Sequence, residues 1–525
     1  MLCIRIKIVL PVLLVYLFVS IFGCSDVSQS ANLITPSKTS LNSYPDIFVI
    51  VIDALRADHL GVYGYTRDTS PFLDQLSEQS LIFSRAYAPS TFTRESVSAI
   101  LTGRYPSSNP WGTGWRAQVS PDITTISEVF KQNGYETFLF TDQPALESYM
   151  YGKGFNHVEV LTSDYGLSGN GPRLVEQLLK TINNINSDLP IFAYIHFYDP
   201  HDPYEPPPSY YLRFKDKIYQ RPLRVYDDIR FHLNELVQQG FGSGDPRFDD
   251  LIVRYDAEIA LSDDCIKTLY RSIEKLRSGK KSVWVVTADH GEEFLDHGFV
   301  EHAWHLYFET IRVPLIIHAP FIGIKKRWVH SETSLVDLFP TLITLAGFNY
   351  IDKGWDGISL PVADLLTGEN TPEIGNRIIF SELYLPTRTI GRSLIQDGWQ
   401  YLNWQQWLTW QECVEYAQKQ KQLRDEYDKG IRHPIPFCGE TKFEELIAPN
   451  DKGFPSTFVP VTEQEERWRM FREAWRKWCA NRPEPISDHE KMRLNPPPVK
   501  SENQKEADSP ITPQIQDSIN NSGYF

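Results

Sequence analysis

The sequence predicts an α/β protein with a mainly parallel central sheet, helices on both faces and a helical C-terminal extension. Three features point there. Continuous apolar, β-branched runs recur and end on acids or histidines: "DIFVIVID" (46–53), "LPIFAYIHFYDPHDPY" (189–204) and "SVWVVTADHGEE" (282–293). Such runs read as strands buried on both faces, as in a parallel sheet. Helix-period segments alternate with them, and strand–helix alternation over several hundred residues favours a sheet covered on both sides.

The elements follow in order. "ISEVFKQNGYETFLFTD" (126–142) reads as helix, glycine turn, strand. Between 255 and 278, Ile259, Ile266, Leu269, Ile273 and Leu276 mark one helix face, and Gly279 ends that helix. "RVPLIIHAP" and "VDLFPTLITLAG" supply a further strand and helix. After about residue 405 the chain is Trp-rich and reads as helix through 406–480. Trp468, Phe471, Trp475 and Trp478 fall on one stripe, expected to pack on the main body. Residues 481–525 are rich in Pro, Ser and Asn, which predicts a disordered tail.

Composition narrows the function. The 525 residues are 41% hydrophobic and carry a formal charge of −15, so no basic footprint for nucleic acid exists. Six cysteines without ribbon spacing exclude a zinc ribbon or a disulfide scaffold, although Cys413 and Cys438 could pair in an oxidising compartment. Arg5 and Lys7, an apolar run and Gly23-Cys24 make residues 1–24 a signal segment with a lipobox-like end. The alternative is an uncleaved anchor helix. Either one exports the domain and ties it to a membrane, through the tether-like residues 25–44.

The chemistry gathers at strand ends. Asp53, His196 with His201, and Asp289-His290 each end or follow a buried strand, and ligands of open α/β sheets bind at that edge. Two carboxylates and an imidazole suit a divalent cation. "YAPSTFTRESVSAILTGRYP" (87–106) adds Thr91, Thr93, Ser96 and Ser98 ahead of an apolar helical run, as helix caps or as a nucleophile.

The run 49–107, "HFYDPHDPYEPP", "TADHGEEFLDHG", "LYFETIRVPLII", "SLVDLFPTLITLAG" and "WDGISL" together resemble the catalytic domain of the sulfatase family, within the alkaline phosphatase superfamily. The resemblance spans about 45–405 and implies that family's fold and a metal-dependent ester hydrolase. It puts the nucleophile at Thr93. There the family's Cys-x-Pro-Ser-Arg is replaced by Thr93-Arg94-Glu95-Ser96-Val97, and Thr cannot mature to formylglycine. It implies one divalent ion, manganese or zinc with calcium possible, held by Asp53, Thr93, Asp289 and His290. Ala54 stands where sulfatases often carry a second Asp. It further implies that His201 touches the leaving or non-bridging oxygen and that His302 serves as oxyanion contact or general acid. His297 has a weaker claim, and His196 reads as a structural strand-end residue. Three functions stay open: phosphate or phosphonate ester hydrolysis or transfer, sulfate ester hydrolysis, and non-catalytic binding on a decayed site.

Overall fold

The computed structural model describes residues 44–480, less 115, 148–149, 162–167, 186–187, 216–222, 224, 230–231, 324, 349, 351–353, 368–373, 385–389, 406–442, 450–454 and 459–463. The signal segment, nearly all of the tether, the tail, Cys413 and Cys438 lie outside the described residues. Among the described residues no helix is long and apolar enough to cross a membrane.

The central sheet has eight strands: β1 Asp46–Ile52, β2 Ser80–Phe83, β3 Glu136–Thr141, β4 His157–Val160, β5 Ile191–Phe197, β6 Ser282–Ala288, β7 Leu315–His318 and β8 Arg327–Val329. Their order is β8-β2-β7-β6-β1-β5-β3-β4. Strands β6, β1, β5, β3 and β4 run parallel, and β7 is antiparallel to both neighbours. The three apolar runs are thus the three central strands, and every residue of each is buried.

Helices cover both faces. Register and pleat decide which side chain faces which layer. Phe192 stacks on Phe130 of the helix Ile126–Gln132, with ring centroids 4.3 Å apart. Phe197, five residues on and so on the opposite face, meets the layer holding Gly171 and Cys265. Those two residues belong to the helices Gly171–Ile185 and Pro246–Leu276. On the long helix Ile259, Ile266, Leu269 and Ile273 are buried, whereas Leu276, in the last turn, is 42% exposed.

A second, antiparallel sheet follows: β9 Ile379–Tyr384, β10 Ile390–Gln396, β11 Trp399–Gln405, β12 Phe443–Pro449 and β13 Pro455–Phe458. This corrects the expected all-helical extension: β12 and β13 lie inside it and continue the sheet from β11. The tryptophan pattern nearby masked the strand signal. The helix Glu465–Ala480 does form, and Trp468, Phe471 and Trp475 are buried with Leu394, Tyr401 and Leu446. Trp478 stacks on Phe380 at 3.7 Å and donates to the buried Glu382 at 2.9 Å.

Candidate active site

Topology assembles the site. β1 lies between β5 and β6, with Val51 opposite both His196 and Thr287. Residues in register on parallel strands share a face. His196 and the positions two beyond Val51 and Thr287, namely Asp53 and Asp289, therefore converge at one edge. His196 Nε2 lies 3.6 Å from Asp53 Oδ2 and 4.0 Å from Asp289 Oδ2. His290 Nε2 lies 3.5 Å from a carboxylate oxygen of each aspartate. All four side chains are fully buried.

Thr93 opens the helix Thr93–Thr102. The N-cap is Phe92, without a side-chain cap, so Thr93 does not serve as one. Its Oγ1 instead lies 3.1 Å from His290 Nε2. His290 Nδ1 donates to the Gly291 carbonyl at 2.9 Å, so Nε2 is the nitrogen that faces Thr93. Thr91, Ser96 and Ser98 hold backbone. Thr91 Oγ1 donates to His305 O at 3.2 Å, Ser98 Oγ to Gln118 O at 3.3 Å and Ser96 Oγ to Asp289 O at 2.6 Å.

The last of these contacts was not legible in the sequence. Ser96 fixes the backbone that carries Asp289. Ser96→Ala is expected to weaken metal retention and turnover by about 10–100-fold, as losing a ligand-orienting contact does. Metal retention after dialysis checks this, and unchanged retention would reduce Ser96 to a fold contact.

The remaining histidines stand in a row. The His290 and His302 rings are 4.2 Å apart, and His302 and His201 are 4.8 Å apart. His302 Nδ1 pairs with Glu292 Oε1 at 3.0 Å, and Tyr204 donates to Glu292 Oε2 at 2.9 Å. His201 Nδ1 lies 2.6 Å from the Asp202 carbonyl. Every residue proposed from sequence (Asp53, Thr93, His201, Asp289, His290, His302) thus meets in one place. His196, expected only as a strand-end residue, faces the same gap. His297 does not; it pairs with Glu309 at 2.8 Å.

Gln143 joins the site unannounced by any sequence signal. Its Oε1 accepts the Ala145 N–H at 2.9 Å, which orients Nε2 onto Asp53 Oδ2. Ala54 adopts a left-handed φ of 55° and donates its N–H to Asp289 Oδ1 at 3.3 Å. Its methyl supplies no ligand where a second Asp would.

Electrostatics separate the two aspartates. Burial pushes Asp53 up, but His201, His196 and His290 outweigh it and hold Asp53 well below the usual carboxylate range. Burial and the Asp53 charge push Asp289 up to about 6. Burial lowers His201 to about 4 and raises Glu292 to about 7. Asp53 Oδ1, Asp289 Oδ2 and His196 Nε2 are buried without a hydrogen-bond partner, and one ligand atom from each residue lies within 4.8 Å of the others. Buried polar atoms left so are costly unless something occupies the space between them. Two carboxylates and an imidazole fit a divalent first-row cation.

A doubly covered, mainly parallel sheet with a hydroxyl at a helix start beside buried acids and imidazoles defines an alkaline-phosphatase-like hydrolase. Residues 45–348 match the family described as Sulfatase, and the chain belongs to that family. It is an ester hydrolase, and enzymes of this family use a metal ion. It is 25% identical over 344 residues to the uncharacterized sulfatase YidJ of Escherichia coli (strain K12), covering 58% of this chain and 68% of that one. It is also 25% identical over 397 residues to human (Homo sapiens) iduronate 2-sulfatase, covering 59% and 71%. Among solved structures it resembles the phosphonate monoester hydrolase of Silicibacter pomeroyi, with a TM-score of 0.60, 19% identity and coverage of 83% and 96%. A protein solved with its substrate D-glucosamine-2-N,6-O-disulfate gives 0.57 at 18% identity, covering 74% and 98%.

Proposed function

We propose that the chain hydrolyses, or transfers the phospho group of, phosphate or phosphonate esters, with Thr93 as nucleophile. The observation that carries this is the buried Thr93 hydroxyl, 3.1 Å from His290 Nε2, which itself lies beside a carboxylate pair. A threonine cannot supply the aldehyde hydrate by which sulfatases expel sulfate, whereas a hydroxyl suits phosphoryl transfer.

Asp53, Asp289 and His196 would hold a manganese or zinc ion, with His290 and Thr93 completing the set. When bound, the ion lowers the hydroxyl pKa and offsets charge on the transferring group. The chain's own residues do the rest. Gln143 holds Asp53 in place, and Ser96 holds the Asp289 backbone. The positive end of the Thr93 helix dipole would favour the non-bridging oxygens. As the Thr93 Oγ–P bond forms, the hydroxyl proton passes to solvent and the P–O bond to the leaving group breaks. His302, held by Glu292, hands that oxygen a proton, with His201 beside it. Water then attacks phosphorus, its proton returns to His302, and the Oγ–P bond breaks as Thr93 Oγ regains a proton from solvent. An acceptor alcohol in place of water makes the same step a transfer.

The test is turnover of aryl phosphate mono- and diesters, phosphonate monoesters and aryl sulfates by the full chain, with and without manganese. Manganese-dependent turnover of phosphorus esters is expected; turnover of sulfates alone would overturn the proposal. That outcome would favour a second reading, sulfate ester hydrolysis, which the sulfatase names of the matched relatives motivate.

We also infer export and membrane tethering from Arg5, Lys7, the apolar run and Gly23-Cys24. Cys24→Ala should release the protein from the membrane fraction, and unchanged fractionation would count against the lipid anchor.

A further inference from the structure

The segment 292–309 presents two sets of titratable groups. Glu292 and His302 face the row of histidines. The next acid, Glu293, meets a different set: His305 Nε2 is 2.7 Å from its Oε2, and Glu309 lies alongside. Glu293 sits on a two-residue ladder, Glu293–Phe294 against Val300–Glu301, and Glu309 on the short helix Phe308–Ile311. One ligand atom from each of Glu293, His305 and Glu309 lies within 4.8 Å of the others, and all three side chains are buried. We infer that Glu293, His305 and Glu309 form a second divalent-cation site, of the zinc or manganese class, apart from the Asp53–His196–Asp289 group.

Two observations beyond the clustering point to an ion. Glu293 Oε1 is engaged, accepting the His297 N–H at 2.6 Å and the Phe299 N–H at 3.0 Å. Its Oε2 and His305 Nε2 are buried and, despite their 2.7 Å separation, make no hydrogen bond of acceptable direction. A cation between them would satisfy both buried atoms. The second observation is support around the ligands. His297 Nδ1 pairs with Glu309 Oε1 at 2.8 Å, its ring stacks on Tyr307 at 3.9 Å, and Tyr307 OH donates to Glu445 Oε2 at 3.0 Å. Outer contacts of this kind orient metal-binding carboxylates.

One contact must loosen: the Tyr307 N–H reaches His305 Nδ1 at 3.3 Å, and Nδ1 must carry the ring proton once Nε2 binds a cation. Two carboxylates and one imidazole select a borderline first-row ion over calcium.

The test is zinc titration of the chelator-stripped full chain by calorimetry, with cobalt(II) absorption as a second readout. Wild type should take two tight equivalents. Glu293→Gln and His305→Gln should each take one, and Asp289→Asn should keep the equivalent those variants lose. A wild type that takes one equivalent, lost in Asp289→Asn, overturns the proposal and leaves a metal-free charge cluster. So do two equivalents that both survive Glu293→Gln and His305→Gln. If those variants fail to fold, the wild-type count and the Asp289→Asn count still decide. If Asp289→Asn keeps both equivalents while Glu293→Gln loses one, this site stands and the catalytic metal reading falls.

Discussion

Thr93→Ala is expected to lose turnover on the best phosphorus ester by a factor on the order of 10⁴–10⁶, as loss of a catalytic nucleophile does. The fold should survive. Thr93 is the first residue of its helix and caps nothing. Removing its hydroxyl leaves His290 Nε2 without that partner, which costs about 1–3 kcal/mol. Thr93→Ser keeps the oxygen and should keep measurable turnover. Acid-quenched mass spectrometry of the wild type during turnover should place one phosphate on the peptide that contains Thr93, and none in Thr93→Ala. If Thr93→Ala turns over at near wild-type rate, the hydroxyl is a packing group and the nucleophile lies elsewhere.

The hydroxyl's neighbours explain why the sequence carried so much of this site and not all of it. A strand buried on both faces has no polar alternation, so its terminal acid stands out; Asp53 and Asp289 were visible that way. What a single strand does not state is its neighbour. His196 lies within β5, and from sequence it is one histidine in an apolar run. Only the β6-β1-β5 order, with Val51 opposite both His196 and Thr287, brings it against two aspartates from segments 143 and 93 residues away. Gln143 was invisible for the same reason: it follows β3, and its role depends on how the Ala145 N–H turns its amide. In the second sheet the failure was different. Strand β12 is edged by a Trp-rich, charge-rich stretch, and its pairing to β11 is a long-range choice that periodicity in one segment does not encode.

Asp289→Asn should remove the catalytic ion and, with it, turnover by about 100-fold or more, since loss of a ligand should exceed the 10–100-fold cost of an outer contact. The change keeps size and removes charge at a fully buried oxygen. Its effect on stability should reverse with metal. In the wild type without an ion, Asp53 and Asp289 are buried like charges, and burial with the Asp53 charge holds Asp289 up to about 6. At neutral pH that pair opposes folding, so the stripped Asp289→Asn protein should melt above the stripped wild type. With manganese or zinc present the order should invert, because an ion that binds only the folded chain stabilises by RT ln(1 + [L]/Kd), about 2.7 kcal/mol at 100 times Kd. Thermal melts of both proteins, with and without chelator, give the four numbers. A crossing of the two melting orders, beside a one-equivalent loss in metal content, fits an ion held by Asp289. Parallel shifts with no crossing would mean that Asp289 shapes the strand end without holding a cation, and the ion of the hydrolytic step would have to be sought at other residues.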